Sequence, residues 1–253
     1  MGQKTNCNFT RLSLHKNYLS NWYANKFEYS NLLLEDNVTR FYIKKSFGKL
    51  FSLATINITR VRPNGSENLE KVIILIKAQF PSLLKTANFV KLFTFGIINN
   101  TLKSEYILTL FNYIIKYYLQ NVAKRLGIRN NKHYQIQLFF IKNKFEEANL
   151  IANYIAKEIL RRKDIVTTIK QTLIKIKLAG LAGAFLQVSG RFQGAERATH
   201  RWGRFGSVPS NNFKSKILFA KRRVYTRYGI LGIQVKTYFK PVLIDSEPVL
   251  IEA

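Results

Sequence analysis

Acid is what this chain has least of: 14 Asp and Glu stand against 41 Lys and Arg in 253 residues, a formal net charge of +27. A one-sign excess of that size repels itself in a compact state and calls for counter-charge from outside the chain. Cysteine is nearly absent too, and the single Cys7 excludes an internal disulfide framework and any multi-cysteine zinc site. His15, His133 and His200 lie far apart without ligand spacing, so no metal and no cofactor is expected. No apolar run reaches membrane-spanning length. The most hydrophobic region, Val72 to Ile98, is broken by Lys77, Pro81, Lys85 and Lys91, so no membrane insertion is expected. The N-terminus carries no apolar signal core and no long Arg/Ser-rich presequence. Phosphate loops of the Walker type, HxxxH, CxxC and a spaced Ser/His/Asp set are all missing, and no catalytic residue is expected.

What is present is one concentrated basic and aromatic stretch, Val188 to Phe239. It holds Arg191, Arg197, Arg201, Arg204, Lys214, Lys216, Lys221, Arg222, Arg223, Arg227 and Lys236 against the lone carboxylate of Glu196. Phe192, Trp202, Phe205, Phe213, Phe219, Tyr225, Tyr228, Tyr238 and Phe239 are interleaved with them. Such a segment cannot neutralise itself, and a polyphosphate backbone is the partner that fits. The candidate RNA-binding residues are Arg191, Arg197, Arg201, Arg204, Lys221, Arg222, Arg223 and Arg227 here, with Lys4 and Arg11 near the start and Arg161, Arg162, Lys163 and Lys170 between. Affinity for RNA should then fall steeply with salt, because several phosphate contacts are lost together.

The chain in order reads as α+β. Residues 1–35 mix basic and aromatic side chains without period and read as a basic arm that orders on RNA. Asn31 to Leu50 reads as a helix with Val38, Phe41, Tyr42 and Phe47 on one face. Leu53 to Arg60 alternates like a half-buried strand, Pro63 to Ser66 supplies a turn, and Val72 to Ile76 reads as a central strand. A helical pattern over Ser104 to Leu126, capped by Gly127, precedes a strand over Gln135 to Lys142. Phe145 to Leu160 is amphipathic, with Phe145, Ala148, Ile151, Ala152, Ile155, Ile159 and Leu160 on the buried side. The adjacent Glu146 and Glu147 read as its solvated first turn, and Glu158 is spaced to pair with Arg162. Asp164 is placed to cap a helix over Ile165 to Lys177, closed by Gly180. A strand over Ala184 to Ser189, a Gly-flanked turn at 190–194 and three more strands follow, with Trp202 and Tyr228 read as core aromatics. The tail from Pro241 turns acidic at Asp245, Glu247 and Glu252.

Val188-Ser189-Gly190-Arg191, Gly194-Ala195-Glu196, Trp202, Val208-Pro209 and Tyr228 to Val235 resemble the C-terminal domain of the small-subunit ribosomal protein three family. Met1 to Lys4, Arg11-Leu12 and Trp22-Tyr23-Ala24 are similar to that family's N-terminus. The resemblance implies a structural protein of the small ribosomal subunit, bound to small-subunit rRNA in the head and helping to form the messenger entrance. It also implies contacts with mRNA at that entrance and with the neighbouring small-subunit proteins ten and fourteen. The fold it implies is a degenerate type II KH-like domain over 36–143, with an insertion at about 79–95, followed by a two-helix plus antiparallel-sheet domain over 144–240 and a tail over 241–253. A composition rich in Lys, Asn, Ile, Phe and Tyr, residues with A/T-rich codons, points to an organelle gene, placed in the mitochondrion ahead of the plastid.

Two departures from the family stand out. The KH domain grips nucleotides through a GXXG loop, whose glycines let backbone approach phosphate. Here the loop positions fall on Asn100, Thr101, Leu102 and Lys103, so loop-mediated binding is expected to be lost. The family's channel-lining Arg pair falls on Val166 and Thr167, and only the following Lys carries over, as Lys170. Arg161, Arg162 and Lys163 are the substitutes within reach, or simply a basic helix end. Two rival functions remain. A basic protein held on an anionic membrane surface explains the charge, at about 1 kcal/mol per basic residue. Leu178 to Phe185 begins like the LAGLIDADG motif of homing endonucleases, but Gly183 and Phe185 stand where metal-binding acids are needed.

Overall fold

The computed structural model describes residues 5–15, 18–48, 51–61, 70–79, 116–117, 119–128, 130, 132–141 and 143–239. They fall into two compact units: one made of the described residues from 19 to 140, the other of those up to 18 together with those from 141 onward. The stretch expected as an arm over 1–35 therefore divides between the two. The turn at Pro63 to Ser66, the KH loop Asn100 to Lys103, the tail, Lys4 and all of the insertion but Gln79 lie outside the described residues.

The N-terminal unit carries a sheet in the order β1-β2-β3-β4: Ser20–Asn21, Ser52–Val61, Lys71–Gln79 and His133–Ile141. β1 runs parallel to β2 (Ser20 opposite Ile58), while β2 and β3 are antiparallel (Ile56 opposite Ile76). The β-branched run of β3 is indeed central. Val72, Ile74, Ile76 and Ala78 are buried, and alternate residues face the other way, as strand periodicity demands. Helix α1 (Tyr29–Phe47) and the helical residues 119–128 supply Ile43, Phe47, Leu119, Val122 and Leu126 to the same core. The strand–strand–helix–strand order expected of a KH-like domain is present.

Two details differ from the sequence reading. On α1, Val38 and Phe41 are 37% and 70% exposed, and the buried face is instead Asp36, Thr39, Ile43 and Phe47. Phe47 is buried and Tyr42 packs against the core as expected, but two of the four buried residues are polar, so hydrophobicity alone misplaced Val38 and Phe41. Gly127 does not end the helical run, which continues through residue 128. Glycine serves there for clearance, since a Cβ would stand 3.0 Å from the Lys132 carbonyl oxygen.

Asp36 tolerates full burial because its partners converge on it. Oδ1 accepts from Arg60 Nη2 at 2.7 Å, and Oδ2 accepts from Ser20 Oγ at 2.9 Å and Trp22 Nε1 at 2.8 Å. Arg60 also donates to Glu35 Oε2 at 2.9 Å, and Lys132 bridges Glu35 and Glu70 at 2.9 and 3.0 Å. This network ties β1, α1, β2 and the residue before β4 together through charge. In a low-dielectric interior such a network stabilises only when its members are satisfied, and here each carboxylate has a cation in reach.

The C-terminal unit packs helices α2 (Ala148–Leu160) and α3 (Ile165–Leu178) on one face of a sheet ordered β6-β5-β8-β7. The strands are β5 Gly183–Gly190, β6 Thr199–Gly206, β7 Ile217–Thr226 and β8 Gly229–Tyr238, all antiparallel to their neighbours. α2 lies over β7 and β8, and α3 over β5 and β6. Gly203 makes the second contact possible, since a Cβ there would come within 2.6 Å of Ile169 Cγ2. Ile151, Ile155 and Ile176 from the helices meet Leu186, Val188, Ile233 and Val235 from the sheet. Asp164 caps α3 as expected, accepting from the Thr167 amide at 3.0 Å, and Gly180 follows the helix in the left-handed region at φ 80°.

α2 starts at Ala148 rather than Phe145, and Leu160, assigned to its buried side, is 60% exposed. Glu158 pairs with Arg161 and Lys163, not Arg162. The reason is local: Arg162 leaves the helix at φ 60°, which swings it away while its neighbours close on the buried carboxylate.

Candidate nucleic-acid interface

Strand register fixes which side chains share the face of the C-terminal sheet turned away from the helices. Residues directly opposite one another lie on the same side. Leu186 opposite Val235 and Val188 opposite Ile233 define the buried side. The other side then carries Phe185, Gln187, Trp202, Arg204, Lys221, Arg223, Gln234 and Lys236, through the pairs Phe185–Arg204, Phe185–Lys236, Gln187–Trp202, Gln187–Gln234, Lys221–Gln234 and Arg223–Gly232. Four cations and a stacked aromatic pair therefore share one surface, without a carboxylate among these strand residues. Phe185 and Trp202 stack at 6.2 Å between ring centroids and 26° between planes.

Trp202 is 62% exposed and Tyr228 is 54% exposed, so neither is the core aromatic that the sequence suggested. Both sit where the core has already been filled: Trp202 on the side of β6 away from the helices, Tyr228 in the turn between β7 and β8. Their position on an exposed face was not readable before strand register was known.

The remaining candidate residues divide by what they touch. Arg11 is buried, its guanidinium enclosed by carbonyls of its own unit, which takes it out of reach of phosphate. Arg191 is exposed, but Nε donates to the Ala195 carbonyl at 2.7 Å and so clamps the turn it belongs to. Arg197 is exposed in the same loop. Arg204 Nε donates to the Gly206 carbonyl at 3.1 Å, and Arg201 points to the opposite side of β6. On β7, Lys221 and Arg223 face away from the helices and Arg222 faces them; partial burial there pushes the Arg222 pKa down. Lys170 is exposed on α3, one turn beyond Val166, which is 41% exposed.

A cleft of about 790 Å³ lies within this unit, between the α2–α3 turn and the turns that join β5 to β6 and β7 to β8. It gathers Arg162, Lys163, Arg191, Arg201 and Arg227 from four separate places in the sequence. Its aromatic residues are Phe192, Tyr225 and Tyr228, all within the stretch 188–239, and their gathering in one cleft was not visible from spacing. Among the described residues there is no cluster of acids, histidines or cysteines that could hold a metal, and no helix long and apolar enough to cross a membrane. The LAGLIDADG-like segment is the junction of α3 and β5. Gly183 is needed there for packing, since a Cβ would collide with the Ser207 carbonyl oxygen.

Residues 155–237 match the family model for the ribosomal protein S3 C-terminal domain. Over nearly its whole length the chain is similar to small ribosomal subunit proteins. It is 28% identical over 244 residues to the protein uS3c of Emiliania huxleyi, covering 96% of this chain and all of that one. It is 30% identical over 248 residues to uS3 of Prochlorococcus marinus, covering 98% and 88% of the two chains. With uS3 of Parasynechococcus marenigrum the identity is also 30%, over 251 residues, covering 99% and 90%.

Proposed function

Because this chain belongs to the uS3 family of small ribosomal subunit proteins, we propose that its C-terminal unit clamps folded rRNA in the head of the small subunit and helps form the messenger entrance. The protein is a structural component of the small subunit and not an enzyme. The observation that supports the rRNA reading most is the face of Arg204, Lys221, Arg223 and Lys236 around the Phe185–Trp202 pair. Phosphates need cations presented together on a rigid support, and a four-stranded sheet held by a helix layer supplies one. Small-subunit proteins ten and fourteen are the neighbours this reading assigns, with mRNA passing nearby. The A/T-codon composition and the altered KH loop favour the mitochondrial ribosome, while the plastid and cyanobacterial names of the relatives make the plastid the alternative.

Sedimentation of lysates from purified mitochondria and from purified plastids, at high and low Mg²⁺, tests both parts. The chain should travel with small-subunit rRNA from mitochondria under both conditions. A chain that stays at the top of the gradient or floats with membranes refutes the ribosomal assignment, and comigration in the plastid lysate alone moves the organelle.

Lys170 is the one residue carried over from the family's channel-lining set, and it is exposed. Lys170→Ala should leave subunit assembly intact and slow translation of a messenger with a stable hairpin. The expected factor is about two to five, the effect of one exposed charge contact of up to about 1 kcal/mol. Failure of the variant subunits to assemble would remove Lys170 from the channel.

A further inference from the structure

The cleft between the α2–α3 turn and the two hairpin turns has a composition that the open sheet face lacks. Its volume of about 790 Å³ is that of a small-ligand site. Of its five cations, Lys163 is committed to Glu158 and Arg191 to the Ala195 carbonyl. Arg162, Arg201 and Arg227 are exposed, and among the described residues no hydrogen bond or ion pair is made by their guanidinium groups. The one acid in the lining, Asp164, has its carboxylate turned to the Thr167 amide at the start of α3.

Phe192, Tyr225 and Tyr228 are the aromatic residues of the lining. Tyr228 is 54% exposed and rests on Gly194, where a Cβ would lie 3.2 Å from two of its ring carbons. Glycine at φ 86° is what lets the turn come close enough to back the ring. Tyr225, also in the lining, is 71% exposed. A ring supported on one side and open on the other, with unpaired guanidinium groups around it, suits a flat π-face joined to phosphates. Bases in a duplex are already stacked on each other and present no such face.

We propose that this cleft holds an unpaired nucleotide of RNA, its base stacked on Tyr228 and its flanking phosphates on Arg162, Arg201 and Arg227. The proposal rests on the RNA-binding reading given above. It adds a site that reads strandedness, separate from the sheet face that meets phosphate backbone. An rRNA bulge and the messenger present the same chemistry, and the experiment separates them.

The full chain is titrated with a labelled unstructured ten-nucleotide RNA and with a labelled RNA hairpin at one salt concentration. Tyr228→Ala should weaken single-strand binding by about 5- to 150-fold, the usual range for one lost base stack, and leave hairpin binding unchanged. Tyr228→Phe should restore most of the loss, because the ring and not the hydroxyl does the stacking. Equal losses on both RNAs, or no loss on the single strand, overturns the proposal. Binding of neither RNA by the unaltered chain refutes the RNA-binding reading itself. Should Tyr228→Ala lower the melting temperature, Tyr225→Ala and Arg227→Ala carry the same comparison from exposed positions. In intact small subunits, ultraviolet crosslinking of the peptide containing Tyr225 and Tyr228 should attach it to RNA. A crosslink that appears only with messenger identifies the message, one present without it identifies rRNA, and none in either case counts against the site.

Discussion

Asp36→Ala should destabilise the N-terminal unit by about 3–5 kcal/mol, the cost of removing one partner from a buried ion pair. The loss is read from urea unfolding of the full chain in a Trp202→Phe background, where Trp22 fluorescence reports on this unit. Asp36 is fully buried, and Arg60, whose side chain is 5% exposed, faces it at 2.7 Å. Without the carboxylate, Arg60 keeps Glu35, the Leu32 carbonyl and the face of the Trp22 ring, while Ser20 and Trp22 lose their acceptor. A double change, Asp36→Leu with Arg60→Met, should recover much of the loss, because two apolar residues leave no orphan charge. If Asp36→Ala costs less than about 1 kcal/mol, water already satisfies the cluster and the account is wrong.

The same cluster sets an acid limit. Burial opposes ionisation of Glu35, but hydrogen bonds from Lys132 and Arg60 outweigh it and hold the carboxyl below its ordinary range. A carboxylate whose pKa is lower folded than unfolded contributes stability that is fully present above the unfolded value of about 4.3. That contribution disappears as pH falls through the depressed folded pKa. Burial likewise works against the charge on Lys132, but its hydrogen bonds to Glu35 and Glu70 prevail and raise its pKa, so it stays charged across this window. Unfolding of the N-terminal unit should therefore become easier below about pH 4.5.

Arg11→Met should destabilise the C-terminal unit by about 1–3 kcal/mol, chiefly because the carbonyl of the buried Ser215 loses its donor. Nε donates to the Ser215 carbonyl at 3.1 Å, Nη1 to the Cys7 carbonyl at 3.2 Å, and Nη2 to those of Ser210 and Asn212 at 2.8 and 3.0 Å. A single planar fork thus closes the loop between β6 and β7 onto the N-terminal segment. Arg11→Lys should rescue only part of the loss, since an ammonium has three donors and cannot span acceptors set for a guanidinium. Digestion by trypsin within 207–216 should speed up in both variants. If instead stability holds and only RNA affinity falls, Arg11 is a phosphate ligand after all.

Arg11 shows where sequence reading stops. A basic residue near a terminus in a chain of +27 looks like an RNA contact. Its acceptors come from positions about 200 residues away, which no local pattern displays. Asp36 failed to register for the same reason: a buried acid on α1 makes sense only beside Arg60 of β2. What was legible depended on neighbours in sequence. The Asp164 cap, the Gly180 helix end and the alternation of β2 all rest on spacing within a few residues, and all three are as read. The candidate interface lay between these cases. Its charge was plain from the stretch 188–239, but which cations share a face, and that Trp202 and Tyr228 are exposed, needed the register of β5 through β8.

β6 and β7 are the outer strands of the C-terminal sheet, and each has a row of backbone groups with no strand beyond it among the described residues. Unpaired rows of that kind recruit other chains and seed aggregates. Arg201 and Arg204 stand along one margin and Lys221, Arg222 and Arg223 along the other, so two copies approaching margin to margin bring like charges together. The side chains proposed to meet phosphate in the finished particle would thus act earlier as gatekeepers of solubility, during the interval between synthesis and incorporation. Charge-neutral replacements there should burden the cell first with precipitate and only second with a defective ribosome.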